Sequence, residues 1–337
     1  MIHAPSADTA VAPAETSHRH IPMGLAVGSA VVFGTMNALQ SRVNGELGHR
    51  LGDGFMAAVI SFASGLVILS VALLVWPAGR RGLGRVRGAL TRRSLSWWHI
   101  LGGTAGGLYV LAQSLTASLL GVALFTVAVV AGQTVSGMIM DRFGVGPGGR
   151  HRLTAPRLIG AVVALAAVGL AVSGQFAAGV PFWLMLMPLI AGFGQGWQQA
   201  VNGRVKAVAE SALTATFLNF FFGTLVLLVA FVIHAAFVGL PQVFPFEPWL
   251  YLGGLLGCIF ISGSAIVVRT TGVLVLGLSM VAGQLLCALA LDLFAPISAE
   301  PISATTVGGT ALALVAVIIV GARRRRPRSA VGAAVNN

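Results

Sequence analysis

Charge is what this sequence lacks most. Of its 337 residues only 9% are Asp, Glu, Lys or Arg, against roughly 25% in a soluble domain, while 56% are hydrophobic and the mean hydropathy is +0.90. A water-soluble fold is excluded. Reactive constellations are missing as well: there is no H-E-x-x-H, no G-x-S-x-G, no Walker motif and no carboxylate-rich cluster of the kind that holds magnesium at a lipid diphosphate. No enzyme, cofactor or metal site is therefore expected. The two cysteines, Cys258 and Cys287, sit inside apolar runs and read as small core residues. "GVGPGG", Gly144 to Gly149, matches a dinucleotide fingerprint in letters only, because it holds a proline and follows an apolar run instead of a strand. It reads as a flexible loop.

What the sequence has is length without charge. Runs of about 20 uncharged, apolar residues, enough to cross a ~30 Å hydrocarbon core as helices, recur along the chain. They fall near Ile21–Ser41, Gly54–Trp76, Trp97–Ser118, Leu119–Met140, Leu158–Gly174, Gly179–Gly203, Ser211–Ile233, Pro248–Val268, Thr270–Leu291 and Ile302–Ala322. Continuous apolarity points to helices, since barrel strands alternate and are about half as long. The expected fold is an all-α polytopic membrane protein with ten transmembrane helices. Residues 1–22, rich in Ala, Pro, Ser and Thr, read as a flexible tail with no cleaved signal peptide, and 323–337 as a basic tail.

Basic residues sort between the segments that join these runs. Nineteen of the 21 lie on one side, including the arginines between Arg80 and Arg93, those between Arg142 and Arg157, Arg204, Lys206, Arg269 and the group from Arg323 to Arg328; only Arg42 and Arg50 lie opposite. The positive-inside rule then puts both termini in the cytoplasm and the chain in the cell membrane as a multi-pass protein. The formal net charge of +12 is explained by topology and by anionic lipid headgroups, and no nucleic-acid partner is expected. The segment Arg80 to Trp98 reads as a basic interfacial stretch with its Trp pair at headgroup depth.

The chain also repeats itself. Gly34–Leu69 laid on Gly192–Leu227 at an offset of 158 pairs Gln40 with Gln198, Asn44 with Asn202, Gly45 with Gly203, Phe62 with Phe220 and Gly65 with Gly223. Trp98–Phe143 laid on Trp249–Phe294 at an offset of 151 pairs Gly102 with Gly253, Gly103 with Gly254, Gly106 with Gly257, Gln133 with Gln284 and Asp141 with Asp292. Two five-helix halves follow, 23–174 and 179–322. Five is odd, so the second half enters the membrane inverted. Charge agrees: Glu46 and Asp53 follow the first run, and Arg204 and Lys206 the equivalent sixth. Inverted halves that exchange shapes open a central cavity to each side in turn, which is alternating access by a secondary transporter. A lipid scramblase, a pore or a membrane-embedded enzyme is the alternative.

With "QSRVNGELG" and "QQAVNGRVK", the "SFASG" and "NFFFG" that follow them, and "VAGQ" in each half, the chain resembles the drug/metabolite transporter superfamily, in its YdcZ-like branch with paired EamA-like five-helix repeats. The resemblance spans roughly residues 22–322. It implies ten helices in two inverted halves and export of a small metabolite or drug.

Candidate substrate-binding residues are the polar ones inside the runs. Gln133 and Gln284 lie too deep to cap a helix and must bond another helix, a water or a substrate. Gln40 with Asn44, and Gln198 with Asn202, share one helical face in each half; they either face the pathway or cap a helix that the Asn-Gly pair ends. Ser61 and Asn219, equivalent across the repeat, Gln113, and the aromatic Trp197 are further candidates. Small-residue patterns at Gly102/Gly106, Gly103/Gly107 and Gly253/Gly257 read as close helix contacts. No carboxylate lies inside a run, which leaves Glu46, Asp141 and Asp292 as the nearest acidic groups. The expected partners are a small-molecule substrate and the anionic bilayer, with a homodimer as a candidate assembly.

Overall fold

The computed structural model describes residues 22–147, 149–150, 154–177, 181–295 and 303–322. The expected tails, up to residue 21 and from 323 onward, lie outside the described residues. Among the described residues the regular structure is helical: α1 Met23–Leu51, α2 Gly54–Val75, α3 Pro77–Thr91, α4 Gly102–Leu120, α5 Val122–Phe143, α6 Ala155–Ala177, α7 Phe182–Ala209, α8 Ala212–Val238, α9 Gly253–Phe294 and α10 Ala304–Ala322. Short 3₁₀ turns, Trp97–Leu101 and Pro248–Tyr251, lead into α4 and α9. Among the described residues five helical stretches are long and apolar enough to cross a membrane: α1, α2, α5, α8 and Leu276–Phe294. Shorter apolar stretches run over Leu158–Ser173, Gly253–Ser264 and Ala304–Ile319. Helix α4 falls short of that measure because it is rich in Gly, Thr, Gln and Ser, and most of its residues are buried among other helices. A helix walled off from lipid needs no apolar circumference.

The register of contacts gives the direction of each helix. Moving up α1, Asn37, Ser41 and Gly45 meet Tyr109, Gln113 and Ala117 of α4 in the same order, so the two run parallel. Against α7 the order is reversed, with Gly102 beside Asn202 and Gly106 beside Gln198. Helices α1 and α7, the equivalent first helices of the two repeats, therefore point in opposite directions.

Helix α9 covers a place where the sequence reading separates two runs. Its 42 residues form one helical element, about 63 Å long if straight, yet it touches α1 twice over. Gly253, Gly257 and Gly263 approach Asn44, Gln40 and Phe33 in antiparallel order. Met280 and Ala288 approach Gly34 and Ala38 in parallel order. Val267 and Leu276 both pack on Ala26 and Ala30. The chain therefore doubles back between Val267 and Leu276, and α9 is a hairpin of two arms. The equivalent place in the first half is Gly121, where φ is 80° and α4 gives way to α5.

The second helices of the two halves, α2 and α8, meet at the centre, with Phe62 and Phe220 ring to ring at 4.8 Å. Each ring lies over the other half's glycine, Phe220 on Gly65 and Phe62 on Gly223. Outside this centre the exposed faces are apolar, as with Val67, Val71 and Leu74 of α2 and Val229, Val232 and Ile233 of α8. So much contiguous apolar surface suits lipid and not water. Helix α3 differs from these. Pro77 opens it, where a missing N–H costs nothing, its apolar face (Val86, Ala89) packs on Val205, Ala209 and Ala215 of α7 and α8, and its arginines are turned outward. The stretch expected to be a basic interfacial segment thus forms an amphipathic helix.

Candidate functional site

Helices α1 and α7 each carry a polar stripe at helical spacing: Asn37, Gln40, Ser41 and Asn44 on one, Gln195, Gln198 and Asn202 on the other. Except for Asn202, which is half-buried, these residues are buried. Buried amides demand partners, and the stripes find them across the bundle. Asn44 donates to Gln113 Oε1 at 2.8 Å and Gln113 donates to Ser41 Oγ at 2.8 Å. Tyr109 donates to Asn37 Oδ1 at 3.0 Å, and Asn37 donates to Gln284 Oε1 at 3.3 Å. Gln40 donates to the Gly253 carbonyl at 2.8 Å. In the second half Gln198 and Asn202 both donate to Asn219 Oδ1, at 2.8 and 2.9 Å.

The arrangement brings most of the sequence candidates together. Gln40, Gln198 and Asn219 line a central cleft with Tyr109, Gln195, Phe62, Phe220 and Phe260. Asn44 and Ser61 converge beside Gly253, where a Cβ would collide with both side chains. Gln284 joins through Asn37. Gln133 stands further off on α5, half-buried and packed near Gly196 of α7. Trp197 is half-buried and does not line the cleft. The cleft holds about 20 Å³ of free space, roughly one water.

One sequence reading is corrected. The Asn-Gly pairs were expected to end their helices as an alternative to facing the pathway, yet α1 continues to Leu51 and α7 to Ala209. Gly45 has instead a packing role, since a Cβ there would stand 3.0 Å from Ala117 Cβ. Two central residues, Asn37 and Gln195, are not among the candidates that the sequence singles out, since they are not identical across the repeat. At the offset of 158 they are equivalent, and polarity at equivalent positions is the signal that finds them.

Both ends of the bundle are tied. At the end where α1 stops, Arg50 bonds Glu46 at 2.7 Å and pairs with Glu247, and its guanidinium lies over Trp249. Asp53 caps α2 through the Phe55 and Met56 amides and faces His234 of α8 at 3.8 Å. Asp292 accepts from the Val122 and Ala123 amides at 2.9 and 2.6 Å, holding the N-terminus of α5 from the other half. At the opposite end Arg85 of α3 pairs with Glu210 at 3.0 Å and donates to the Ala209 carbonyl, and Thr214 donates to Gly79 O at 2.8 Å.

Comparison with known proteins agrees with this architecture. A crystal structure of a protein carrying no functional description covers 88% of this chain and 95% of its own, at 20% identity and a TM-score of 0.54, which speaks for the fold alone. No curated protein matches the chain significantly. A family described as "Putative inner membrane exporter, YdcZ" matches twice, over 25–170 and 183–319, once for each repeat. With nearly all of the helical bundle inside those two matches, the chain belongs to the YdcZ family of multi-pass inner-membrane exporters.

Proposed function

We propose that the chain is a secondary transporter that exports a small solute by alternating access, through ten membrane crossings in two inverted five-helix halves with both termini in the cytoplasm. The crossings are α1, α2, α4, α5 and α6 in one half; the other half has α7, α8, the two arms of α9 and α10. Helix α3 lies at the cytoplasmic surface, where anionic headgroups meet its arginines.

The observation that carries the reading is reciprocity. Gly34 lies against the Met280 carbonyl and its equivalent Gly192 against that of Val129; Gly132 lies against Leu189 O and its equivalent Gly283 against Val31 O. Each contact is thus made twice, with the halves exchanged, around a centre of amides. Opening one end breaks one set of ties while the equivalent set at the other end stays made, so two states related by exchange lie within reach.

The test uses a background in which Cys258 and Cys287 are alanine. Arg50→Cys and Glu247→Cys, joined by a short bifunctional thiol reagent, fix the outer end shut. Expected are arrest of export and faster labelling of a cysteine at Ala209, near the inner end. Continued export with the outer end fixed overturns the mechanism, and saturation-free ion conductance favours a pore.

A further inference from the structure

We infer that the cargo is an uncharged solute bearing both hydrogen-bond donors and acceptors, an inference that rests on the transport reading above. The cleft between the halves is lined by Gln40, Gln198, Gln195, Asn219 and Tyr109 with Phe rings. It has polarity without charge. Two of its side chains leave polar atoms unbonded although almost wholly buried: Gln195 Oε1, on a residue 5% exposed, and Asn219 Nδ2, on a residue 1% exposed. An unsatisfied buried amide is costly, and such groups, one acceptor and one donor, persist where a ligand completes them. A carboxamide can also turn over, exchanging its donor for its acceptor.

The charge balance decides between cargo classes. A full charge taken into this centre needs an opposite charge beside it, since unpaired burial costs an ion far more than an amide. Among the described residues no Asp, Glu, Lys, Arg or His lines the cleft. Along α1 the charged group nearest the cleft is Arg42, two residues from Gln40; it does not line the cleft, and its charged neighbours include Glu46 and Asp292. Of the four rings that line the cleft, Phe62 and Phe220 turn their faces onto Gly223, Gly65 and each other, and a ring-face contact of about 0.5–2 kcal/mol does not offset the burial of an ion without a counter-charge. A zwitterion fails twice, for want of both counter-charges.

The test compares the solutes released into the medium by cells producing the full chain and by cells producing a Gln195→Ala, Asn219→Ala double variant at equal membrane abundance. Mass spectrometry covers cationic, anionic, zwitterionic and uncharged metabolites together. The expected result is that every solute released in a chain-dependent way is uncharged at pH 7, and that the double variant lowers its release about tenfold or more, as loss of a hydrogen bond implies. Chain-dependent release of a cation, an anion or a zwitterion overturns the inference while leaving the transport reading intact. Release of uncharged solutes undiminished in the double variant overturns the assignment to this cleft. If no solute depends on the chain, the export reading itself fails, and this inference with it.

Discussion

Gly121 stands at φ 80° and ψ 155°, a region that residues with a side chain enter only under strain of about 1–3 kcal/mol. A Cβ there would also come within 2.9 Å of Asp292 Oδ2, on the carboxylate that holds the α5 amides. Gly121→Ala is accordingly expected to lower the melting temperature of the purified protein in detergent, whereas Gly137→Ala, with open space around its Cβ, should leave it unchanged. Equal melting of the two variants would contradict this account of the turn. Single residues were also the hardest part of the site to read from sequence. Gln40, Gln198 and Asn219 were legible because polar side chains inside apolar runs must have a reason. Asn37, Gln195 and Tyr109 were not, because their equivalents are Gln, Asn and Phe, and conservation of polarity is fainter than conservation of identity. Of the two readings of Asn-Gly, the helix end does not hold for a physical reason: Asn-Gly ends helices where glycine supplies a left-handed cap, but here glycine supplies room, and the cap belongs to Gly52 at φ 64°.

At the scale of elements, contacts between helices are made by glycine with almost nothing between the backbones. Gly103 of α4 lies on the Asn219 carbonyl of α8, and the equivalent Gly254 of α9 lies on the Ser61 carbonyl of α2. Membrane helices gain no hydrophobic drive from each other, so close packing of this kind supplies much of their affinity. Gly103→Val forces α4 and α8 apart. Overpacking of a dense core costs about 1–3 kcal/mol, and the variant is expected to show lower thermal stability together with reduced export. Gly254→Val should do the same at the equivalent interface. An effect at one position alone would argue against equal duty of the two. Elements were the most legible level, since periodic apolar runs and repeated glycines located nearly all of them. The hairpin within α9 was readable as two runs, although its backbone stays helical throughout, and only its two opposite registers on α1 disclose the reversal.

For the whole molecule, orientation is the consequence that charge dictates. Val243, in the exposed loop before α9, is expected to face outward, and Gly146, in the loop after α5, inward. In a background free of native cysteines, a membrane-impermeant maleimide should label Val243→Cys in intact cells and Gly146→Cys only after permeabilisation. The reverse pattern would invert the topology. The two halves share a plan but not a set of bonds. A chain of hydrogen bonds through Gln284, Asn37 and Tyr109 joins the halves, and another through Asn44, Gln113 and Ser41 lies within the first; at Tyr109 the second half has Phe260, and at Gln113 it has Ser264. Under the proposed alternating access, exchanging their conformations would not return the same energy, and one resting form would be more populated than its mirror. Apparent affinity scales with the fraction of molecules already competent to bind. Half-saturation measured from the two faces of the membrane should therefore differ, even for a solute that both faces recognise with the same atoms and whose final distribution only its gradient determines.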